Sequence, residues 1–316
     1  MKTNTRFILT PTSGRTRRRP ALAATLRDFI VARSLDAEVT TTEGPGHATE
    51  LARDAAFAGC TQVVAVGGDG TMNEVAQALL HTPAALALVP CGSGNGLALH
   101  LGLPTALSGA LDLIAGTGGR VAALDTGTAN GRRFFNAMGL GLDADISRRF
   151  NTLTRRGLPA YARTALAAFR DLRSERVTLS AGRHRETLDI LLVAVANSDQ
   201  YGNHARIAPG ARVDDGALDL IAVQPVGLFG AAALATRLFL GRFDTSPRVR
   251  RLSGPRFVIE RAAPGLIHTD GETHATSATV EVIVQPRSLR VLVPAATRAV
   301  TFLHDPAPAG FSFQLS

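Results

Sequence analysis

Two stretches of this chain, TQVVAVG (61–67) and AALALVP (84–90), are continuous apolar runs closed off by turn residues. A strand with one wet face alternates apolar and polar side chains. An unbroken run predicts a strand buried on both faces, as in a parallel sheet covered by helices above and below. The residues after the first run fit that expectation, because Met72, Val75, Ala76, Leu79 and Leu80 recur at helical spacing. Upstream, TRFILT (5–10) and AEVTTT (37–42) read as two more strands. Each precedes a helical pattern: one begins after Pro20 with Leu22, Leu26, Phe29 and Ile30, and the other is HATELARDAAFAG (47–59), closed by Gly59. Four strand–helix units predict an open parallel α/β sheet over residues 1–125.

Beyond that point strands crowd together. Asn130-Gly131 predicts a hairpin within VAALDTGTANGRRFFNAMGLGLDA (121–144), and residues 174–198 predict a second with its turn near Gly182. Later strand patterns are ALDLIAV (217–223), PRFVIE (255–260), TVEVIVQP (279–286) and LRVLVP (289–294), with one helical pattern at 159–172. Residues 126–294 are therefore expected to form an antiparallel, sandwich-like β-rich domain. Residues 295–316 remain as a tail.

Composition narrows the functional classes. With 316 residues, 45% of them hydrophobic, the chain can bury substantial cores. No stretch approaches the roughly 18 apolar residues of a membrane span. The nearest, LFGAAALATRLFLG (228–241), carries Arg237 and reads as a partly buried helix. Neither a signal peptide nor a disulfide or metal pattern around Cys60 and Cys91 is evident, so a soluble cytoplasmic protein is expected. The net charge of +8 favours an anionic partner. With 5% aromatic residues and no Trp, stacking platforms for single-stranded nucleic acid look poor, leaving a nucleotide or an anionic membrane surface.

The turn after the first buried run, GGDGT (67–71), has neither the Walker lysine nor the third glycine of a dinucleotide fingerprint. A glycine-rich turn at a helix N-terminus can still wrap a phosphate with backbone N–H groups. A carboxylate inside such a cradle repels phosphate unless something balances it. Asp69 thus points to Mg²⁺-nucleotide binding, to orientation of loop donors, or simply to a helix cap. A second glycine turn, CGSGNG (91–96), with Ser93 and Asn95, comes after the next strand at the same sheet edge, where open α/β sheets bind ligands. Asp270-Gly271-Glu272 could place two carboxylates at one cleft, raising one pKa, or could merely form a D-G hairpin turn. His47 and His100 show no metal spacing and read as cap or surface residues.

Taken together, these segments resemble the diacylglycerol kinase catalytic-domain superfamily of bacterial lipid kinases, sphingosine kinases and ceramide kinases. GGDGTMNEV is similar to its nucleotide loop and PCGSGNGLA (90–98) to its second glycine loop, in a form nearer to sphingosine-kinase-like members. TPTSGR (10–15), GHATELAR (46–53), FFNAMGLGLDADI (134–146), IAPGARVDDGALDLIAV (207–223) and DGE (270–272) match further family segments in order, with Thr10 where Asn is usual. The resemblance implies an active site in the cleft between the two domains, with the tail packing back on the first. It implies ATP and Mg²⁺ as cofactors and a lipid hydroxyl, of diacylglycerol or sphingoid type, as phosphoryl acceptor. Phosphate contacts would come from Gly67, Gly68, Asp69, Gly70, Thr71 and Asn73, and further nucleotide contacts from Thr10, Ser13, Thr41, Ser93 and Gly94. Asp270 and Glu272 would be the base and its partner, with Asp69 also catalytic. Asp125 would face substrate or Mg²⁺, and Asp215 with the Arg212 and Ala217 carbonyls would hold a structural Mg²⁺. Peripheral contact with anionic membrane and no nucleic-acid partner are implied, and a homodimer stays open. The alternatives are an NAD-kinase-like or other soluble-alcohol kinase, or an inactive nucleotide sensor.

Overall fold

The computed structural model describes residues 4–14, 16–151, 163–164, 167–168 and 174–300. Strands β1 (Thr5–Leu9), β2 (Ala37–Thr41), β3 (Gln62–Gly67) and β4 (Ala85–Pro90) lie parallel in the order β2-β1-β3-β4. Every residue of β3 and β4 is buried, as their unbroken apolar runs require. Helices α1 (Leu22–Ala32), α2 (His47–Phe57), α3 (Asp69–Leu79) and α5 (Leu107–Ile114) supply Leu26, Ala52, Val75 and Leu111 to the same core. A short α4 (Gly96–His100) opens directly out of the second glycine turn. Gly59, at φ +85°, comes after the C-cap of α2 in the left-handed region that a Schellman-type ending needs.

The passage between domains is made inside strands. The sequence pattern predicts two strands at 279–286 and 289–294, but β16 runs unbroken from Thr279 to Pro294. Its first half pairs with β13 (Arg256–Arg261), and near its end Val291 pairs with Leu86 of β4. The antiparallel strand β5 (Gly119–Ala129) accompanies it throughout, with a register shift between Gln285 and Leu289. Arg287, at φ +47°, marks the bulge that bends the ribbon from one domain into the other.

Asp125 pins this bulge. It is 1% exposed, and its Oδ1 accepts the Arg287 N–H (2.7 Å) while Oδ2 accepts the Gly216 N–H (2.7 Å). Burial, more than the charges of Asp215 and Asp214, pushes its carboxyl pKa up against the pull of those two bonds. Asn197 ties the same place to the second domain by donating from Nδ2 to the Asp125 and Phe135 carbonyls (2.8 and 2.9 Å).

The second domain is a sandwich. Its inner sheet continues the large sheet through β13, β8 (Glu175–Ala181) and β9 (His184–Ile190), with β6 (Arg132–Phe134) beside β5. The outer sheet has the order β12 (Val249–Gly254), β11 (Leu218–Val223), β10 (Leu192–Ala196), β7 (Ala137–Gly141), β14 (Gly265–Thr269) and β15 (Glu272–Thr276), and its β7, β10, β11 and β14 face the inner one. Alternation sorts the faces: Val193 and Val195 enter the core between the sheets, while Ala194 and Ala196 enter a third core on the outside. The run 188–196, read as one hairpin arm, instead breaks at Leu191, and the chain switches sheets there. Its N–H donates to Val223 O rather than continuing the pairing with β8. Asn130-Gly131 and Gly182 do form the predicted hairpin turns.

Helix α7 (Leu228–Phe239) is the expected partly buried helix: Leu234 is buried, Gly230, Ala231, Arg237 and Leu238 are half-buried, and the rest is exposed. After β16, the Thr297 hydroxyl donates to Leu101 O (2.7 Å) and Val300 joins the first domain's core. Residues 301–316 and most of the 159–172 helical pattern lie outside the described residues. Among the described residues no helix is long and apolar enough to cross a membrane.

Replacing Asp125 leaves the part-buried N–H groups of Arg287 and Gly216 without their acceptor, each costing up to about 1–3 kcal/mol, and empties the buried space of the carboxylate. Asp125→Ala should therefore lower the urea-unfolding free energy by about 2–5 kcal/mol. Exposed Asp215→Ala should move it by less than about 1 kcal/mol. Equal, small effects from both would contradict the pinning role.

Candidate active site

The C-terminal ends of β1, β3 and β4 bring three loops into contact. Gly68 donates its N–H to Ser13 Oγ (2.9 Å), and the Cys91 N–H donates to Gly67 O (2.7 Å). Thr10 is half-buried at the end of β1 and accepts the Thr42 hydroxyl (3.3 Å), while Thr41, at the end of β2, is exposed. Gly92 faces Gly68 so closely that a Cβ on Gly92 would sit 2.7 Å from the Gly68 Cα. The glycines here permit two loops to touch, in addition to whatever they hold.

Asp69 joins those loops. Oδ2 accepts the Asn95 N–H (2.8 Å) and Oδ1 the Gly96 N–H (2.9 Å), so the second loop and the start of α4 hang on one carboxylate. Burial raises its pKa, and the two N–H bonds oppose the rise. Asn95 is left-handed (φ +54°) and closes its own loop, accepting the Gly92 N–H and donating to Gly92 O (2.9 and 3.0 Å). Gly70 and Ser93 stand exposed beside this lock, Gly94 is half-buried, and Thr71 and Asn73 are buried. Among the described residues no acceptor meets the N–H groups of Gly70 or Thr71 in the first turn of α3, and Asn73 Oδ1 has no donor. That leaves a helix N-terminus with free donors and its positive end outward, which is the chemistry that binds phosphate.

The second domain reaches the same place through Asn136. A Cβ on Gly96 would lie 2.7 Å from Asn136 Nδ2, and the Asn136 N–H donates to Asp270 Oδ1 (2.9 Å). Asp270 also accepts from Phe135 N–H (2.7 Å) and Ala137 N–H (3.0 Å). Desolvation outweighs these bonds and the nearby His268, raising the Asp270 pKa to about 6. Asp270 (φ +49°) and Gly271 (φ +88°) form the two-residue turn between β14 and β15 (Glu272–Thr276), so the hairpin reading and the buried-carboxylate reading describe one residue. Glu272 is exposed and makes no side-chain hydrogen bond or ion pair among the described residues.

The remaining candidates gather at the interdomain bulge. Asp125 is closed off, with both oxygens on backbone N–H groups. Asp214 is paired with Arg212 (3.0 Å). Asp215 is exposed and accepts the Ala217 N–H on Oδ1 (3.0 Å), which leaves Oδ2 open. Since Mg²⁺ keeps several waters and needs few protein ligands, Asp215 fits as a single-carboxylate ligand, and Asp125 does not fit as a direct one. Among the described residues no group of three His, Cys, Asp or Glu side chains could hold a metal.

Several site residues escape sequence reasoning. His100 is no surface residue: its ring is 4% exposed and its Nδ1 lies 2.7 Å from Asp199 Oδ1. His47 is the first residue of α2 and accepts the Glu43 N–H (3.0 Å) of the loop before it, capping no helix N–H. Asp143, in α6 (Leu142–Asn151), is buried with Oδ2 3.0 Å from His268 Nε2 and accepting the Tyr201 hydroxyl. Gly271 N–H reaches His268 Nδ1 (3.3 Å), so this cluster braces the turn that carries Asp270. A carboxylate inside the apolar run MGLGLDADI was the available signal. The Tyr201 loop also meets the glycine turn, with Asn203 donating its N–H to Gly94 O (3.1 Å).

Comparison with known proteins agrees with this geometry. The model of the diacylglycerol kinase catalytic domain matches residues 4–147, and that of the YegS C-terminal NAD kinase beta sandwich-like domain matches residues 136–293. A probable lipid kinase YegS-like protein of Pseudomonas fluorescens is 31% identical, with 82% of this chain and 86% of the relative aligned. A diacylglycerol kinase of Bacillus subtilis is 28% identical, with 84% and 89% aligned. The solved structure of a putative diacylglycerol kinase from Bacillus anthracis superposes with a TM-score of 0.74 at 22% identity, over 92% of this chain and 96% of that one, and so shares the fold. The chain belongs to the diacylglycerol kinase catalytic-domain family, with a YegS-type C-terminal sandwich.

Proposed function

We propose that this protein is an ATP-dependent lipid kinase that transfers the γ-phosphoryl group to a hydroxyl of a diacylglycerol or sphingoid-type lipid. The observation that carries the reading is the pair of free N–H groups at Gly70 and Thr71, held opposite the second glycine loop by Asp69, with the Asp270 carboxyl one residue away across Asn136. Family membership and the lipid-kinase names of its relatives support it.

In this mechanism the first turn of α3 and Gly67–Thr71 receive the phosphates, and Thr10, Ser13, Thr41, Ser93 and Gly94 line the approach. Asp69 keeps the two loops in register, so phosphate donors are positioned before substrate arrives. Mg²⁺, when bound with the nucleotide, would neutralise phosphate charge, with Asp69 the nearest carboxylate; Asp215 would hold a separate, structural ion. Asp270 and Glu272 together supply the base: one of the pair takes the proton of the acceptor hydroxyl as that oxygen bonds to phosphorus and ADP leaves. A carboxyl with a pKa of about 6 is ionised at neutral pH yet more basic than an ordinary aspartate, as a proton acceptor should be. Glu272, exposed and unpaired, serves as its neighbour at the mouth of the cleft.

Incubation with labelled ATP, Mg²⁺ and a total lipid extract should yield a labelled phospholipid. Asp69→Ala should cut the rate about 100-fold or more, because the loops lose their tie. Labelling of a soluble alcohol, or ATP binding without transfer, would favour the soluble-kinase or sensor readings instead.

The Asp270 pKa sets two further outcomes. Activity should rise with pH through about 6 and level off above it, with a flattened limb and about 100-fold or greater loss in Asp270→Asn. Stability should move the other way. Between the ordinary value of 3.8 and about 6 the native state holds a proton that the unfolded chain has released. Unfolding free energy therefore falls as pH rises across that window, and Asp270→Asn should remove this slope. An unchanged pH–rate profile in Asp270→Asn would exclude it as the base.

A further inference from the structure

Helix α7 is inverted in polarity. A surface helix of a soluble protein turns its apolar stripe inward and its charges outward, yet here the outward side is the apolar one. Leu228 is 61% exposed, Phe229 92%, Phe239 46% and the adjoining Leu240 65%. At 3.6 residues per turn the exposed positions fall on one arc of about 160°. Within it Thr236 is the single polar side chain, alongside Ala232, Ala233 and Ala235. Leu234 alone is driven into the core of the outer sheet.

The charge around this arc has one sign. No acidic residue occurs from Leu220 to Phe243, and the flanking Asp219 and Asp244 are both taken up by Arg251 (3.0 and 2.7 Å). At the end of the helix Arg237 is half-buried and Arg242 exposed, neither with an acid in ion-pair range among the described residues. An apolar arc closed by these arginines complements a bilayer with anionic headgroups, where aromatic and aliphatic side chains enter the interface and guanidinium groups meet phosphates. It suits a second copy of the chain poorly, because a two-fold pairing would bring arginine toward arginine with no acid to offset it.

The helix is also attached to the site. Arg206 N–H donates to Leu238 O (2.9 Å) and its side chain lies 3.7 Å from Asp199. The loop between them carries Tyr201 and Asn203, which contact Asp143 and Gly94. Docking at α7 would therefore hold the cleft a single loop away from the lipid surface. We infer that the exposed face of α7, with Arg237 and Arg242 at its C-terminal end, is the docking surface for an anionic bilayer. Its purpose rests on the lipid-kinase reading, though the surface itself does not.

Flotation with phosphatidylcholine vesicles, with and without phosphatidylglycerol, tests this on the full chain in the absence of ATP. The wild type should bind the anionic vesicles, and less as salt shortens the Debye length below about 10 Å. Phe229→Ser with Phe239→Ser should lower partition about tenfold or more while leaving the thermal transition in place, since both rings are exposed. Arg242→Glu should weaken the phosphatidylglycerol preference. No vesicle binding by the wild type, or binding unchanged in the Phe double variant, would overturn the inference. So would a wild-type dimer that this variant converts to monomer. Helix-dependent binding without any lipid phosphorylation would leave the docking surface standing and the kinase reading refuted.

Discussion

One carboxylate organises the phosphate end of this protein. Asp69 starts α3 from the first glycine loop and holds the second loop through two backbone N–H groups, at 2.8 and 2.9 Å. Its burial raises the cost of its charge, and the two bonds offset part of that cost. Without it the second loop would lose its anchor and α4 its first restraint. The free N–H groups of Gly70 and Thr71 would then face a loop of undefined position. In the proposed function, the carboxylate keeps negative charge near the phosphate cradle because it fixes the donors that face it.

The site also depends on the way two domains share strands. β5 and β16 run from one domain into the other without a linker, and Asp125 fastens the bulge where they bend. Asn197 ties that pin to Phe135, whose N–H bonds to Asp270, so the bulge and the turn that carries Asp270 belong to one hydrogen-bonded network. A cleft made this way is held from both sides by continuous backbone. The positions of Asp69 and Asp270 are then set by sheet geometry more than by loop conformation.

Much of this was legible in the sequence, for identifiable reasons. Unbroken apolar runs at β3 and β4 and the Asn130-Gly131 turn are local signals, and they lead to the parallel sheet and the first hairpin directly. The glycine loops are legible because their residue types are rare together. What was hidden is non-local. Nothing in 279–294 announces that two strand patterns make one bent strand, since the bulge at Arg287 is fixed by Asp125, far away in the chain. The burial of His100 depends on Asp199, and that of Asp143 on His268 and Tyr201, partners that only the fold supplies. The partial burial expected of 228–241 holds, but composition cannot tell which side of the helix meets the protein.

The central claim is that the first turn of α3 and the loop it holds form a phosphate cradle. Amide hydrogen exchange with and without saturating ATP reads that claim at the donors themselves. Slowed exchange at Gly70 and Thr71, together with residues 92–96, is the predicted result. Protection confined to other segments, with these amides exchanging as fast as in the free protein, would contradict it.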